Sequence, residues 1–368
     1  MSLLYVPLMA AKRGEFTAVT NLDFPVLDRT MPLFELPSPK QDAKEFEKSI
    51  IKTAAGAGKA WLGRRAFLDT SKWKPNARTE SGVHVLEYAF SQFHAKGVLV
   101  NPVVGYDRWD DPAYQQALKN ICMTNSVNFC IRLDRESIQN DMLDIDYFSE
   151  RMAEIFDSLE IGVQNCYVIL DFGNVASVAV ADLIETLERA IGVVRGIGFS
   201  TVIVAGGSMP TAVNEAVAVV NTEGCIPRIE MLAWKAIFAA SKDRSIVFGD
   251  YLIRNPEAAE GVIAPNANAK IRYTILNQYF IVRGESKKLE SMTSQHKRLA
   301  ATLVKSANYM EPSFSWGDSE IFNCSIGIRE IREATTMIAV DSNHHIKTVV
   351  LEVLEYQRTF IPSIDEYI

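Results

Sequence analysis

A short apolar, β-rich run, then a polar residue, then a helical stretch recurs eight times in the first 256 residues, and no other feature narrows the fold as much. The runs lie at 4–9, 31–34, 66–68, 98–100, 128–131, 167–170, 201–204 and 245–248. Their starts are roughly 27 to 45 residues apart, which leaves room for a strand, a crossover helix and two loops. The runs are almost wholly apolar, as strands of a parallel sheet covered by helices must be. Between them lie amphipathic stretches. In 146–159, Phe148, Met152, Ile155, Phe156 and Leu159 share a face; in 182–194, Leu183, Ile184, Leu187, Ile191 and Val194 do so. An open doubly wound sheet is the main rival, but eight units over about 250 residues fit a closed α/β barrel of the (β/α)8, TIM-like kind better.

Beyond residue 256 the pattern changes. The segment 269–283 is rich in aromatic and β-branched residues, 293–310 reads as helical, and 345–356 is amphipathic before a short Pro-containing tail. The expectation is one barrel domain over 1–368, in which about 257–368 closes the eighth unit and adds a C-terminal layer. The small-residue stretch 56–63 is too short and mixed to be a boundary, and no segment is of low complexity.

The chain's 48% apolar content supplies a sizeable core. With 45 acidic against 38 basic side chains, the net charge of −7 lacks the bias of a protein that coats nucleic-acid phosphates. Five widely spaced cysteines, Cys122, Cys130, Cys166, Cys225 and Cys324, form no CxxC pair or His-rich ligand pattern and read as buried free thiols. Pro7 and Lys12-Arg13 interrupt the first apolar stretch, so no signal layout is present. No run approaches the ~20 apolar residues of a membrane span. A cytoplasmic protein without a membrane partner is expected.

A barrel builds its site at the carboxyl ends of the strands, so the first polar residues after each run are the candidates. In strand order these are Lys12, Arg13, Gly14 and Glu15; Glu35; Asp69; Asn101; Arg132; Asp171; Gly206, Gly207 and Ser208; and Gly249, Asp250 and Tyr251. Lys12, Glu35, Asp69, Arg132, Asp171 and Asp250 are expected in one cleft as the chemically active set. Arg13, Asn101, Gly207, Ser208, Tyr251, Arg283, Trp316 and His344 are expected to contact ligand. Around the turn 205–208, glycines would let backbone N–H groups approach an anion at a helix start, while arginine forks suit phosphate or carboxylate. The acids would alternatively hold a hard cation such as Mg²⁺ or Mn²⁺, or pair with the basic side chains. Some candidates have a plain structural reading as caps, notably Asp69-Thr70-Ser71 and Ser208-Met209-Pro210. His344-His345 is either an acid/base group brought in from the extension or a surface turn. Trp316-Gly317-Asp318 is either a lid or a packed turn.

Several motifs together carry a family resemblance. Tyr5-Val-Pro-Leu, Lys12-Arg-Gly-Glu15, Met31-Pro-Leu-Phe-Glu35-Leu-Pro37, Ala66-Phe-Leu-Asp69, Asn101-Pro-Val-Val104 and Ile131-Arg-Leu133 are similar to the beta family proteins of bacteriophages and bacteria. Ile169-Leu-Asp-Phe-Gly173, Ser208-Met-Pro210, Phe248-Gly-Asp-Tyr251, Ile271-Arg-Tyr273, Arg283-Gly284, Ser315-Trp-Gly-Asp318 and Asn343-His-His345 continue the likeness over nearly the whole chain. At strand seven the sequence departs from the commoner Ala-Gly-Ser by an added glycine. The resemblance implies a setting in phage genomes and bacterial mobile or conflict loci and names no reaction.

Two functions follow as expectations. One is an enzyme on an anionic ligand, a metal-assisted hydrolase of phosphodiesterase type. After strand one, Arg13-Gly14 then Glu15 echo glycerophosphodiester phosphodiesterases, but Lys12 stands where those have histidine. The other is a non-catalytic interaction or sensing module in phage–host conflict, with a protein partner encoded nearby. Active-site charges usually cost stability rather than supply it, so Asp171→Asn and Arg132→Ala are expected to change stability little.

Overall fold

The computed structural model describes residues 2–38, 45–125, 128–258 and 266–361. The chain opens with β1 (Tyr5–Ala10), α1 (Arg13–Thr20), α2 (Phe24–Leu27), β2 (Leu33–Glu35), α3 (Phe46–Ala60), β3 (Arg65–Asp69), α4 (Val85–Ala95) and β4 (Leu99–Gly105). It continues through α5 (Pro112–Thr124), β5 (Phe129–Leu133), α6 (Arg135–Gln139), α7 (Ile145–Leu159), β6 (Cys166–Asn174), α8 (Val180–Ile197) and β7 (Thr201–Gly207). Then come α9 (Val213–Ala216), β8 (Glu223–Pro227), α10 (Ile229–Ser241), β9 (Ile246–Asp250), β10 (Asn268–Ile275), β11 (Gln278–Ser286), α11 (Met292–Lys305), α12 (Trp316–Ser325) and α13 (Ala334–Phe360).

Strands β1 to β7 and β9 close a parallel barrel in chain order, with β9 bonded to β1 through Tyr5–Phe248 and Pro7–Asp250. All eight expected runs are barrel strands, and the architecture is the (β/α)8 barrel. Side chains alternate between the two faces. Val6, Leu8, Leu33, Phe67, Val103, Cys130, Ile169, Ile203 and Val247 point inward and fill the barrel as a packed core. The outward residues meet the helices. Each fully buried aliphatic or aromatic side chain contributes roughly 1.5–3 kcal/mol, which is why the strand runs carry so few polar residues.

Helix α7 illustrates how the sequence sets an element. Asp144 caps its N-terminus by accepting from Tyr147 N at 3.0 Å, Glu160 ends it in the left-handed region, and Phe148, Met152, Ile155 and Leu159 form its buried face. The small-residue stretch in α3 also has a packing cause. A Cβ on Gly56 would lie 2.9 Å from the Phe16 ring and one on Gly58 2.6 Å from Lys96 O, so these glycines let α3 close on its neighbours.

Three features differ from expectation. Strand β4 runs on to Gly105 rather than ending at 100. Strand β8 arises inside the connection after β7 and pairs with the β10–β11 hairpin in a second sheet of order β10-β11-β8. Helix α13 spans 27 residues, far beyond the segment 345–356, and packs against α1, α10 and β1 over the seam where the barrel closes. Most of the Pro-containing tail lies outside the described residues. Cys130, Cys166 and Cys324 are buried, but Cys122 is only half-buried and Cys225, on an edge of the small sheet, is exposed, because alternation on a two-faced strand turns it outward. Among the described residues no helix is long and apolar enough to cross a membrane.

Candidate functional site

At the carboxyl end of the barrel the inward-facing positions turn from apolar to charged. The Arg132 guanidinium, 9% exposed, occupies the centre. Its Nε and Nη2 donate to Asp171 Oδ2 at 2.9 and 2.6 Å, and Nη2 also donates to Tyr251 OH at 2.8 Å. Its Nη1 donates to Glu35 Oε1 at 3.1 Å and to Asp69 Oδ2. The Tyr251 hydroxyl donates in turn to Asp171 Oδ2 at 2.6 Å. Two further arginines flank this centre. Arg108 Nη2 donates to Asp69 Oδ1 at 2.9 Å, and Arg254 Nη2 donates to Glu35 Oε2 at 2.5 Å.

All six carboxylate oxygens are thereby engaged, since Asp171 Oδ1 accepts from Gly173 N at 3.0 Å and Asp69 Oδ1 also from Ser71 N at 2.9 Å. The valence left over belongs to donors. Arg108 Nη1 and Arg254 Nε are buried without a hydrogen-bond partner among the described residues. Burial alone would raise the Glu35 pKa, but Arg254, Arg132 and Lys72 outweigh it and hold Glu35 at about 2. Asp69 likewise lies below its ordinary value, because Arg108 and Arg132 overcome burial. Burial and the Asp171 carboxylate push Tyr251 well up. Near neutral pH, therefore, Glu35 and Asp69 are ionised and Tyr251 keeps its proton.

Of the six residues expected in one cleft, Glu35, Asp69, Arg132 and Asp171 meet, joined by Tyr251. Lys12 follows β1 as the half-buried N-cap of α1, and its backbone N–H donates to Ala10 O at 2.8 Å. Asp250 does not join them. It faces outward, where it accepts from Tyr5 OH at 2.5 Å and meets His345 Nε2 at 2.9 Å and Arg228 Nη2 at 3.7 Å. Alternation is the reason: if Tyr251 points into the barrel, Asp250 points out.

The other expected ligand contacts scatter. Gly207 does abut the ring, since a Cβ there would meet Tyr251 at 3.4 Å. Ser208 does not cap the helix after its strand, whose N-cap is Ala212; it is turned towards α10, where its Oγ accepts from Ile229 N at 3.3 Å. Arg13 is exposed and lies 3.9 Å from Glu333. Asn101 lies within β4, beside Phe67, and accepts from Asn128 N at 3.3 Å, because the strand continues past it. Arg283 holds the carbonyls of Val217 and Ala218, tying the small sheet to the loop before β8. Trp316 opens α12, so it belongs to a helix rather than a lid. His344 is wholly buried in α13, stacked on Tyr273, with Nδ1 2.9 Å from Asp318 Oδ2 and Nε2 2.8 Å from Thr274 O. Ser315 also donates to Asp318, so the Ser-Trp-Gly-Asp and Asn-His-His motifs meet each other.

Sequence reasoning did not find Arg108 or Arg254. Both lie three residues past the last residue of their strands, β4 and the Tyr251-extended β9, on turns where no apolar run marks them. The available signal was Pro102-Val-Val-Gly105, a β-rich continuation that moves the end of strand four next to Arg108. Gly105 itself makes room, since a Cβ there would fall 2.1 Å from the Arg108 guanidinium.

Among the described residues no group of three or more His, Cys, Asp and Glu side chains is arranged to hold a metal ion. The three carboxylates converge on arginine instead, and Mg²⁺ or Mn²⁺ would have to displace a guanidinium from them. What the arrangement does offer is three arginines fixed in place by acids, with donors to spare. No curated protein matches the chain. The Beta protein family matches residues 5–351, a span that takes in the ring, the closing strand and the His-containing part of α13. By that match over nearly its whole length, this chain belongs to the Beta protein family.

Proposed function

We propose that the protein is a ligand-binding barrel that holds a small anionic ligand at its mouth and serves as a sensing module. The observation that carries this reading is the imbalance of the ring: every carboxylate oxygen is used, whereas Arg108 Nη1 and Arg254 Nε have no acceptor among the described residues. Buried donors without acceptors are costly, and an oxyanion would satisfy them. Acids that are ionised and already shared among arginines are poorly placed to bind a divalent cation or trade protons, which makes metal-assisted phosphodiester hydrolysis the weaker of the two expectations. The cytoplasm, and loci of phage–host conflict, are the proposed setting. A protein encoded nearby would read the occupied state.

A thermal-shift screen of phosphate esters, nucleotides, Mg²⁺ and Mn²⁺ tests the reading. An anion at a hundred times its Kd adds about 2.7 kcal/mol, a rise of several degrees for a chain of this size. That rise is expected with an anion alone and should become smaller in Arg108→Met. Hydrolysis of a phosphodiester that requires Mg²⁺ or Mn²⁺ and is lost in Asp171→Asn would replace the sensing reading with the enzymatic one.

A further inference from the structure

Beside the mouth, where the turns after β7 and β9 meet the small sheet, lies a cavity of about 110 Å³ lined by Arg254, Lys270 and Arg272 together with Thr211, Asn255 and Ile281. From these observations we propose that this cavity is a second anion site, built for a phosphate-sized oxyanion, at the seam between barrel and extension. It goes beyond the mouth ring because Lys270 and Arg272 take no part in that ring; Arg254 alone is shared.

Charge makes the case. Three cationic side chains line the cavity and, among the described residues, no acid does. Two of the cations are already oriented by partners. Arg254 is held by Glu35, and Arg272 donates through its Nε to Asp341 Oδ2 at 3.3 Å and through Nη1 to Ile253 O at 3.1 Å. The Lys270 side chain has no hydrogen bond or ion pair with any described residue. Burial first, and then Arg272, lower its pKa to about 8, with only Asp341 opposing. A lysine pressed against another cation in a half-enclosed space is an electrostatic cost that a bound anion removes. Size allows the ligand: a space of about 110 Å³ has room for several waters or a tetrahedral oxyanion. A phosphoryl group, free or at the end of a longer molecule that reaches in, has the charge and volume that fit.

Competitive acetylation of the lysines at pH 8, read by mass spectrometry, tests the site with inorganic phosphate as probe. Lys270 should label faster than the surface lysines in phosphate-free chloride buffer, and saturating phosphate should slow it about tenfold while leaving the others unchanged. With the mouth disabled by Arg108→Met, a rise in melting temperature with phosphate should remain, and it should disappear when Lys270→Met is added. Unchanged labelling of Lys270 in phosphate overturns the proposal, as does a thermal shift of Arg108→Met that survives the added Lys270→Met. A shift lost already in Arg108→Met would leave the mouth reading standing and place the anion there alone. Should Lys270→Met fail to fold, the labelling of the wild type decides by itself.

Discussion

Two buried charge networks lie one residue apart in sequence at the end of β9, and they differ in kind. Tyr251 faces the mouth ring; Asp250 faces a seam network packed between the barrel, α10, β11 and α13. In the seam, Tyr5, Arg228, Asp250, Tyr279 and His345 are all fully buried. Arg228 and Lys235 both donate to Glu352 at 2.6 Å, His345 Nδ1 lies 2.7 Å from Thr274 Oγ1, and Tyr279 OH donates to Leu252 O at 2.9 Å. The groups at its centre are sealed from solvent, and only its edge at Lys235 and Glu352 is slightly open. In the mouth ring Asp69 is wholly buried, Glu35, Asp171, Arg132 and Tyr251 are 1–9% exposed, and each acid has more than one donor. A charged residue at a strand end is thus evidence of a site only when its face is known; the same chemistry turned outward fastens a helix to a barrel.

The sharpest way to break this contrast is to remove one partner on each side. Asp250→Ala leaves Tyr5, His345 and Arg228 facing one another in a dry interior, and breaking a buried pair costs about 3–5 kcal/mol. Arg132→Met also leaves three carboxylates without their common partner, so the near-neutral effect expected from sequence does not suit this residue. Its cost should nevertheless be smaller, about 2–3 kcal/mol, because Arg108 and Arg254 still pair Asp69 and Glu35 and water can enter from the mouth. Urea unfolding at pH 7 measures both. If Arg132→Met proved the more damaging, the ring would be the structural network and the seam would not.

A second test uses pH, and one glutamate from each region should respond with opposite sign. Glu35 falls from 4.5 to about 2 on folding, so the unfolded chain binds the extra proton; its contribution is complete above pH 4.5 and is lost as pH drops towards 2. In the seam, burial raises Glu230 from 4.5 to about 7 despite Arg228, and its Oε2 has no hydrogen-bond partner among the described residues. There the folded chain holds the extra proton, so stability falls as pH rises from 4.5 to 7. Each shift corresponds to an effect of order 3 kcal/mol. Glu230→Gln should flatten the loss between pH 4.5 and 7, and Glu35→Gln should flatten the gain between pH 2 and 4.5. Chemical denaturation across pH 2–8 checks both, and a Glu230→Gln curve parallel to wild type would show that Glu230 does not titrate in the seam.

These two regions also show what the sequence made legible. Eight strands could be located because each is a nearly pure apolar run, and α7 and α8 because their buried residues recur at helical spacing. That purity is what hid the faces. In Ile246-Val-Phe-Gly-Asp-Tyr251 both sides of the strand are buried, so no polar alternation phases it and nothing local says that Tyr251 turns in and Asp250 out. Asn101 misled for the converse reason: it is a polar residue inside the barrel, and it looked like a strand end. The pairing of Asp318 with His344, and of Asp250 with His345, depends on contacts between residues 26 and 95 positions apart, which no spacing rule can anticipate.

The smallest effect concerns Arg13, which shares a sequence motif with Lys12 yet belongs to neither network. Its side chain is 78% exposed, and the 3.9 Å approach to Glu333, itself 65% exposed, is a surface contact. Pairs of that kind are screened by solvent and pay side-chain entropy, so they contribute about 0–1 kcal/mol. Arg13→Ala should therefore leave the unfolding midpoint almost where it was. It should also leave anion binding within about twofold, since a charge in high dielectric acts weakly on a ligand in the mouth. Titration calorimetry with whichever anion shifts the wild type, at low and physiological salt, measures this directly. A tenfold loss that persists at physiological salt would mean that the ligand lies over the start of α1, in contact with Arg13, and that the ring around Arg132 only supports it from below.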